Sequence, residues 1–199
     1  MTRDLGEWKP LRPEEAHERL ADLAVPWWIA GGWAIDLYLG RETRAHADLD
    51  VGLLRADQQA VFAALADWEL FIAKDGELRP LNRGASLEPE EHGLWCRPGA
   101  ALPWGLELML NEHCGDTWVY RRDRRVERPL AELLLRDARG IPYLAPEVQL
   151  LFKSKGRREK DTRDLEAVLP MLEDSRREWL AAQLRLLDPA HPWRARLET

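Results

Sequence analysis

The segment Gly31-Gly32-Trp33, followed by Arg44-Ala45-His46-Ala47-Asp48-Leu49-Asp50-Val51, is the most informative part of this chain of 199 residues. Two adjacent glycines close a short apolar run, and two aspartates one residue apart come soon afterwards. Glycines ahead of a helix suit a bound phosphate, and paired carboxylates suit a divalent cation. The combination predicts a phosphate-binding turn that faces a metal site.

The two aspartates are predicted to lie on one strand, from Asp48 to Leu54. Side chains two residues apart on a strand point to the same face, with Cα atoms about 6.6 Å apart. Carboxylates at that spacing can share Mg²⁺ or Mn²⁺, which also bind phosphate oxygens. A solvated acidic strand face would produce the same pattern. We therefore expect Asp48 and Asp50 to be metal ligands only because of their context.

The glycine pair provides that context. Gly31 and Gly32 lie between a predicted buried strand at 27–30 and a predicted helix at 33–39. Glycine allows backbone N–H groups to approach a ligand, and the N-terminus of the following helix favours an anion. A plain tight turn is the alternative. Together with the aspartates, the pair is predicted to hold the phosphates of a nucleotide.

A third carboxylate is expected if the site activates a hydroxyl group. Glu107 is the candidate, because it stands alone in the otherwise apolar run Leu106-Glu107-Leu108-Met109-Leu110. A buried carboxylate is costly unless it is paired or bound to metal. Glu107 is therefore predicted to be a metal ligand or a general base. The alternative is a glutamate that faces solvent on a half-buried strand.

Positive charge for a triphosphate is available at two places in the sequence. Arg41 and Arg44 precede the aspartates, and Lys153 and Lys160 lie in the C-terminal third. Lysine neutralises phosphate as a point charge, and arginine can clamp it with two hydrogen bonds. All four are predicted to bind nucleotide. A solvated helix face is the alternative, and it is what we expect of Arg157-Arg158.

Several other polar and aromatic residues have two open interpretations. Asp161 and Asp164 either hold the nearby cations or cap a helix, and His46 is a ligand or orients its loop. The basic run at 121–125 is expected to be a turn. The tryptophans at 95 and 104 could line a flat binding surface, although core positions are the safer expectation.

Composition restricts the class of protein. The net charge of −6 argues against broad nucleic-acid binding, which needs a basic surface. Cys96 and Cys114 lack the spacing of a metal site. We see neither a signal peptide nor an apolar run of membrane-spanning length, and so we expect a soluble, cytoplasmic protein without membrane association.

The order of elements predicts the fold class. A helix, strand, turn, helix, strand and helix are followed by strands, including a hairpin at Asp75-Gly76 and a strand at 118–122, and then by helices. This order predicts an α+β fold, with a small mixed sheet flanked by helices. Residues 1–144 are expected to form the core, and residues 145–199 a helical lobe packed on it.

The motif residues as a set resemble a known family. They are Gly31-Gly32-Trp33-Ala34-Ile35-Asp36, Leu39-Gly40-Arg41, Thr43-Arg44, His46, Asp48 and Asp50. Over residues 27–54 they closely resemble the aminoglycoside 2″-adenylyltransferases, which belong to the DNA polymerase β-like nucleotidyltransferase superfamily together with the lincosamide nucleotidyltransferases. A second set, Lys153, Lys160-Asp161 and Asp164, is similar to a motif of AbiEii-like toxin nucleotidyltransferases.

The resemblance implies a nucleotidyltransferase core with Asp48 and Asp50 as metal ligands and Glu107 as the third acidic residue, where many relatives have Asp. It implies Mg²⁺-dependent transfer of a nucleoside monophosphate, AMP from ATP, to a hydroxyl group of a small molecule such as an aminoglycoside, and hence antibiotic resistance. The alternatives are a toxin that modifies tRNA or protein, and an inactive nucleotide-binding module. Glu88, Glu90 and Glu91 could attract a cationic acceptor or form an exposed loop.

Overall fold

A computed structural model describes residues 5–82 and 84–198. In that part of the chain, ten strands form one mixed sheet. They are β1 (Trp27–Ile29), β2 (Asp50–Leu54), β3 (Glu69–Lys74), β4 (Glu77–Pro80), β5 (Gly93–Arg97), β6 (Leu106–Cys114), β7 (Thr117–Val119), β8 (Glu127–Pro129), β9 (Leu134–Arg136) and β10 (Pro142–Leu144).

The α-helices of the described residues flank this sheet and fill the C-terminal third. They are α1 (Pro13–Leu20), α2 (Gly31–Leu39), α3 (Gln58–Ala64), α4 (Pro146–Ser154), α5 (Glu159–Val168), α6 (Asp174–Leu187) and α7 (Arg194–Leu197). Within the described ranges, none of the helices has the length and apolar character needed to cross a bilayer.

The sheet mixes parallel and antiparallel pairs. Its strand order is β4-β3-β5-β6-β2-β1-β10-β9, and β7 pairs with both β6 and β8. The central strand β2 runs parallel to β6 and antiparallel to β1, and β1 runs parallel to β10. The prediction of an α+β fold with a mixed sheet is therefore confirmed.

Strand β2 occupies the centre of the sheet because one of its faces is entirely apolar. Leu49, Val51 and Leu53 are fully buried, whereas the alternate positions carry Asp50 and Gly52. Burying three aliphatic side chains of this size contributes about 1.5–3 kcal/mol each. The alternation therefore fixes which face of β2 presents its carboxylate.

The predicted element boundaries differ from the structure at a few places. The glycine pair begins helix α2 instead of forming a separate turn before it, and strand β2 begins at Asp50, so Asp48 precedes the strand. The Asp75-Gly76 hairpin joins β3 to β4 as predicted. The strand predicted at 118–122 is shorter, and Arg121-Arg122 form a turn.

From Pro146 onward, the regular elements of the described chain are helices. Helix α4 packs against both α2 and α6, so the two parts share one continuous hydrophobic core. We keep the division into residues 1–144 and 145–199 as a proposal about chain organisation.

A buried ion cluster fixes helix α4 in place. The Glu147 side chain is fully buried on α4 and accepts bonds from Arg128 of β8 (2.8 Å) and Arg176 of α6 (2.6 Å). Two guanidinium groups from different elements thus converge on one carboxylate. The orientation of α4 depends on this cluster, and α4 also carries Gln149 and Lys153.

Glu147→Gln should destabilise the fold by about 3 kcal/mol, because it leaves two cations beside a neutral group in a buried environment. Urea unfolding measures this change. Glu132→Gln is the matched control, since Glu132 is an exposed partner of the same Arg128 at 3.5 Å. The control should cost less than about 1 kcal/mol. Equal effects of the two substitutions would contradict this account.

Candidate active site

The predicted carboxylates gather at the start of two neighbouring strands. Asp50 is the first residue of β2 and lies directly opposite Glu107 of the parallel strand β6. The Glu107 N–H donates to the Leu49 carbonyl at 2.8 Å, which extends the pairing to the residue after Asp48. Asp48 is exposed, and Asp50 and Glu107 are half-buried.

The electrostatics show that negative charge is concentrated here. Burial and the neighbouring Asp48 charge raise the pKa of Asp50 to about 6, an effect that Lys153 partly offsets. Burial, Asp50 and Asp48 together raise the pKa of Glu107 to about 8, against a hydrogen bond from the Trp95 indole. Bringing a cation to these oxygens would relieve the repulsion between them.

The donor set fits a hard divalent cation, since carboxylate oxygens are the ligands that Mg²⁺ and Mn²⁺ prefer. Asp48 and Asp50 would hold it, with Glu107 on the adjacent strand. Within residues 5–82 and 84–198, no three His, Cys, Asp or Glu side chains already have the arrangement of a complete metal site. The case for a divalent cation therefore depends on the oxygen ligands that Asp48 and Asp50 offer.

Gly31 allows the Asp50 carboxylate to pack against the N-terminus of α2. Its φ of +65° is left-handed, and a Cβ at this position would overlap Asp50 Oδ2. The Gly31 N–H donates to Gln149 Oε1 at 2.8 Å, and the Ala30 N–H donates to the Asp50 carbonyl at 2.8 Å. No side chain larger than hydrogen fits here, so the glycine is required by geometry.

Gly32 makes room for the loop that precedes the aspartates. A Cβ at Gly32 would overlap the side chains of Arg44 and His46. His46 Nε2 donates to Asp36 of α2, and its Nδ1 lies 3.2 Å from Arg44 Nη1. Both His46 and Asp36 are buried, and Thr43 also donates to Asp36. His46 therefore orients the loop and its arginine.

The environment of Asp36 keeps it ionised. Burial alone would raise the pKa of Asp36, but hydrogen bonds from His46 and Thr43 lower it below its usual value. A charged carboxylate holds both donors more strongly than a neutral acid would. The loop is thus anchored to helix α2 by charge-assisted hydrogen bonds.

The cations beside the aspartates are held by two buried carboxylates of α5. Lys153 lies 2.7 Å from Asp164 and 3.7 Å from Asp161. Arg44 reaches Asp164 at 3.4 Å, and Arg158 reaches Asp161 at 2.8 Å. Asp161 also accepts the Arg158 N–H at the start of α5. Both interpretations of Asp161, as a helix cap and as an anchor for cations, are therefore correct.

A cleft of about 220 Å³ joins these groups. Seven of the predicted residues line it, namely Gly31, Gly32, Arg44, Asp48, Asp50, Lys153 and Lys160. Glu107 lies next to it on β6 without lining it. Arg41 is exposed after the end of α2 and lies outside the cleft. The cleft is thus lined by both carboxylates and cations.

Some cleft residues were not predicted. Gln149 lies four residues before Lys153, a spacing that puts both on one face of α4 and could have identified it. Arg121-Arg122 form the expected turn and also line the cleft. Arg158, expected to be solvated, is 59% exposed yet lines the cleft as well. Phe152 also lines the cleft.

Comparison with known proteins matches this geometry to one family. The family model for aminoglycoside-2''-adenylyltransferase matches residues 14–168. The lincosamide resistance protein of Staphylococcus haemolyticus is 29% identical over 133 residues, which cover 66% of this chain and 76% of that protein. The 2''-aminoglycoside nucleotidyltransferase of Escherichia coli is 48% identical over 44 residues, 21% of this chain and 25% of that protein.

Solved structures are similar in fold. ANT(2'')-Ia in complex with adenylyl-2''-tobramycin has a TM-score of 0.58 at 15% identity, covering 85% of this chain and 95% of that one. The lincomycin-bound adenylyltransferase LnuA has a TM-score of 0.55 at 18% identity, covering 80% and 98%. Because the family model covers the glycine pair, all three carboxylates and the cations, the chain belongs to the aminoglycoside-2''-adenylyltransferase family and is a nucleotidyltransferase.

Proposed function

We propose that this enzyme transfers AMP from ATP to a hydroxyl group of a small antibiotic-like molecule and releases pyrophosphate. One observation carries the proposal: Asp50, packed against the N-terminus of α2 at Gly31, lines the same cleft as Lys153 and Lys160. That arrangement provides carboxylates for a metal ion and cations for a triphosphate in one cleft.

The residues of this chain would act mainly by positioning and charge. Arg44, Lys153 and Lys160 would bind the triphosphate. The Gly32 N–H at the start of α2 would face its phosphates, while the Gly31 N–H stays bonded to Gln149. A Mg²⁺ or Mn²⁺ ion, bound by Asp48 and Asp50, would supply charge that stabilises the transition state. No protein nucleophile is needed, since the acceptor hydroxyl attacks the α-phosphorus directly.

Glu107 is proposed to take the proton from that hydroxyl. Its position opposite Asp50 in register, outside the cation-lined cleft, supports a role toward the acceptor and not toward the triphosphate. One bond forms between the acceptor oxygen and the α-phosphorus. The bond from that phosphorus to the bridging oxygen breaks, and its electron pair leaves with pyrophosphate.

The acceptor is proposed to be an antibiotic because the relatives are named for aminoglycoside and lincosamide modification. The acidic loop at Glu88–Glu91 gives little support to a cationic acceptor. Glu91 is buried and paired with Arg79 at 2.6 Å, and Arg55 binds the Glu88 and Glu91 carbonyls. These contacts hold the loop at the C-terminal end of β2, whereas Asp50 is at its N-terminal end.

The two alternatives make different predictions for the same assay. A toxin-type enzyme would label tRNA or protein, which the net charge of −6 disfavours for RNA. An inactive module would bind nucleotide without releasing pyrophosphate, and the presence of Asp48, Asp50 and Glu107 argues against it. Incubation with labelled ATP and a panel of antibiotics, tRNA and protein distinguishes all three.

Asp50→Asn should lower pyrophosphate release at least about 100-fold, because it removes a charged ligand from the reacting centre while keeping the side-chain shape. The measurement is release from labelled ATP with the most active acceptor of the panel. Asp174→Asn, an exposed change at the start of α6, is the control and should retain wild-type activity. Full activity of Asp50→Asn would place the chemistry elsewhere.

Mg²⁺ together with a non-hydrolysable ATP analogue should raise the unfolding temperature, since a ligand at 100 times its Kd adds about 2.7 kcal/mol. Asp48→Asn and Asp50→Asn should each remove most of the part of the shift that requires Mg²⁺. Differential scanning calorimetry with and without EDTA measures it. Equal shifts in wild type and both variants would argue against these aspartates as ligands.

Gly31→Ala should abolish activity, because its Cβ would displace the Asp50 carboxylate. Gly40→Ala is a matched control, since Gly40 has nearly the same φ of +67° but no atom within 4 Å of an added Cβ. Both variants should lose about 1 kcal/mol of stability from backbone strain, and Gly31→Ala should lose more because its Cβ also overlaps Asp50. Only Gly31→Ala should lose turnover. Equal losses of turnover in the two variants would mean that backbone strain alone causes the effect.

A further inference from the structure

The sheet face that carries Asp50 continues beyond Glu107 as a surface of aromatic side chains, which we call the aromatic platform. Its rings contact one another edge to face, at centroid distances of 5.0 Å (Trp8–Trp95), 5.6 Å (Trp95–Trp104) and 5.4 Å (Phe71–Trp104). The platform consists of Trp8, Phe71, Trp95 and Trp104. None of these four residues lines the cation-rich cleft.

Strand register makes the platform continuous with the site. Asp50 lies opposite Glu107, Glu107 opposite Trp95, and Trp95 opposite Phe71. Directly paired residues project from the same face of a sheet, and neighbouring strands are about 4.8 Å apart. Trp95 is thus one strand from Glu107, close enough for its indole N–H to lower the pKa of that carboxylate.

The platform offers contact area to a ligand. Trp104 is buried, whereas Trp8, Phe71 and Trp95 are half-buried and keep part of each ring accessible. The cleft residue Asp50 and the platform residue Trp95 lie on opposite sides of Glu107 in the sheet. A hydroxyl that attacks the α-phosphorus in line must approach from the side away from the leaving pyrophosphate. The platform is where the remainder of the acceptor molecule would bind.

The charges at the platform disfavour a polycation. The Arg97 guanidinium lies 5.2 Å from the Phe71 ring and 4.6 Å from the Trp104 ring. It also binds Glu69 at 2.8 Å, so that carboxylate is already neutralised. Glu7 is exposed beside Trp8. Because Arg97 already occupies the cation-binding faces of Phe71 and Trp104 and also neutralises Glu69, few partners remain at the platform for several ammonium groups.

We propose that the aromatic platform binds the acceptor and selects a ring-bearing alcohol with an apolar face and few positive charges over a polycationic one. The inference rests on the proposed function, because it assigns the acceptor class of the same site. Trp95 has two parts in it: its ring supports the acceptor, and its indole N–H positions Glu107.

Isothermal titration of the full-length protein, with Mg²⁺ and a non-hydrolysable ATP analogue present, tests the proposal. The probes are lincomycin, which carries one amine, and tobramycin, which carries several. Wild type should bind lincomycin at least ten times more tightly. Trp95→Ala should weaken lincomycin binding at least tenfold and leave the Kd of the analogue unchanged. Leu186→Ala, at an exposed position of α6 outside the platform and the cleft, should change neither.

The remaining outcomes overturn the proposal. The proposal fails if wild type binds tobramycin as tightly as lincomycin or more tightly, or if Glu7→Gln abolishes tobramycin binding. It also fails if Trp95→Ala leaves the lincomycin Kd unchanged, or if wild type binds neither probe. Failure of the proposed function looks different, because the analogue itself would not bind wild type. Trp95→Phe separates the two parts of Trp95: kcat should fall while the KM for lincomycin stays within about threefold, and the reverse pattern contradicts the assignment.

Discussion

The contact between the Asp50 carboxylate and Gly31 is the constraint on which the rest of the site depends. Strand β2 can present Asp50 to the N-terminus of α2 only where the helix begins with a residue that lacks a side chain and adopts a left-handed φ. The buried aliphatic face of β2 fixes the register, and the register brings Glu107 and then Trp95 alongside. The position of every acidic group follows from this packing.

The C-terminal helices complete the arrangement by holding positive charge in place. Arg44, Lys153 and Arg158 would repel one another if they were brought together alone, but Asp161 and Asp164 lie between them and are almost fully buried. Buried carboxylates are costly to leave unpaired, so the cations remain ordered. The cleft is thereby preorganised for an anion, because the side chains need little rearrangement when one binds.

The sequence predicts what depends on local spacing. The glycine pair, the Asp48-Asp50 pattern, the Asp75-Gly76 hairpin and the mixed sheet needed no knowledge of distant contacts. Gln149 could have been found from its spacing to Lys153 on α4, whereas the Arg121-Arg122 turn reaches the cleft only through contacts between segments far apart in the chain. Arg41 lies close to the aspartates in sequence but does not line the cleft, so its assignment to the nucleotide stays a prediction.

The pairing of β1 with β10 determines when the site can form during synthesis. Ile29 lies beside Tyr143 in the sheet, and the contacts from Gly31 to Gln149 and from Arg44 to Asp164 join residues 118 and 120 positions apart. Long-range contacts of this kind form slowly and late. A ribosome must therefore release most of the chain before the cleft exists, and a nascent chain that ends before α5 lacks the carboxylates that order its cations.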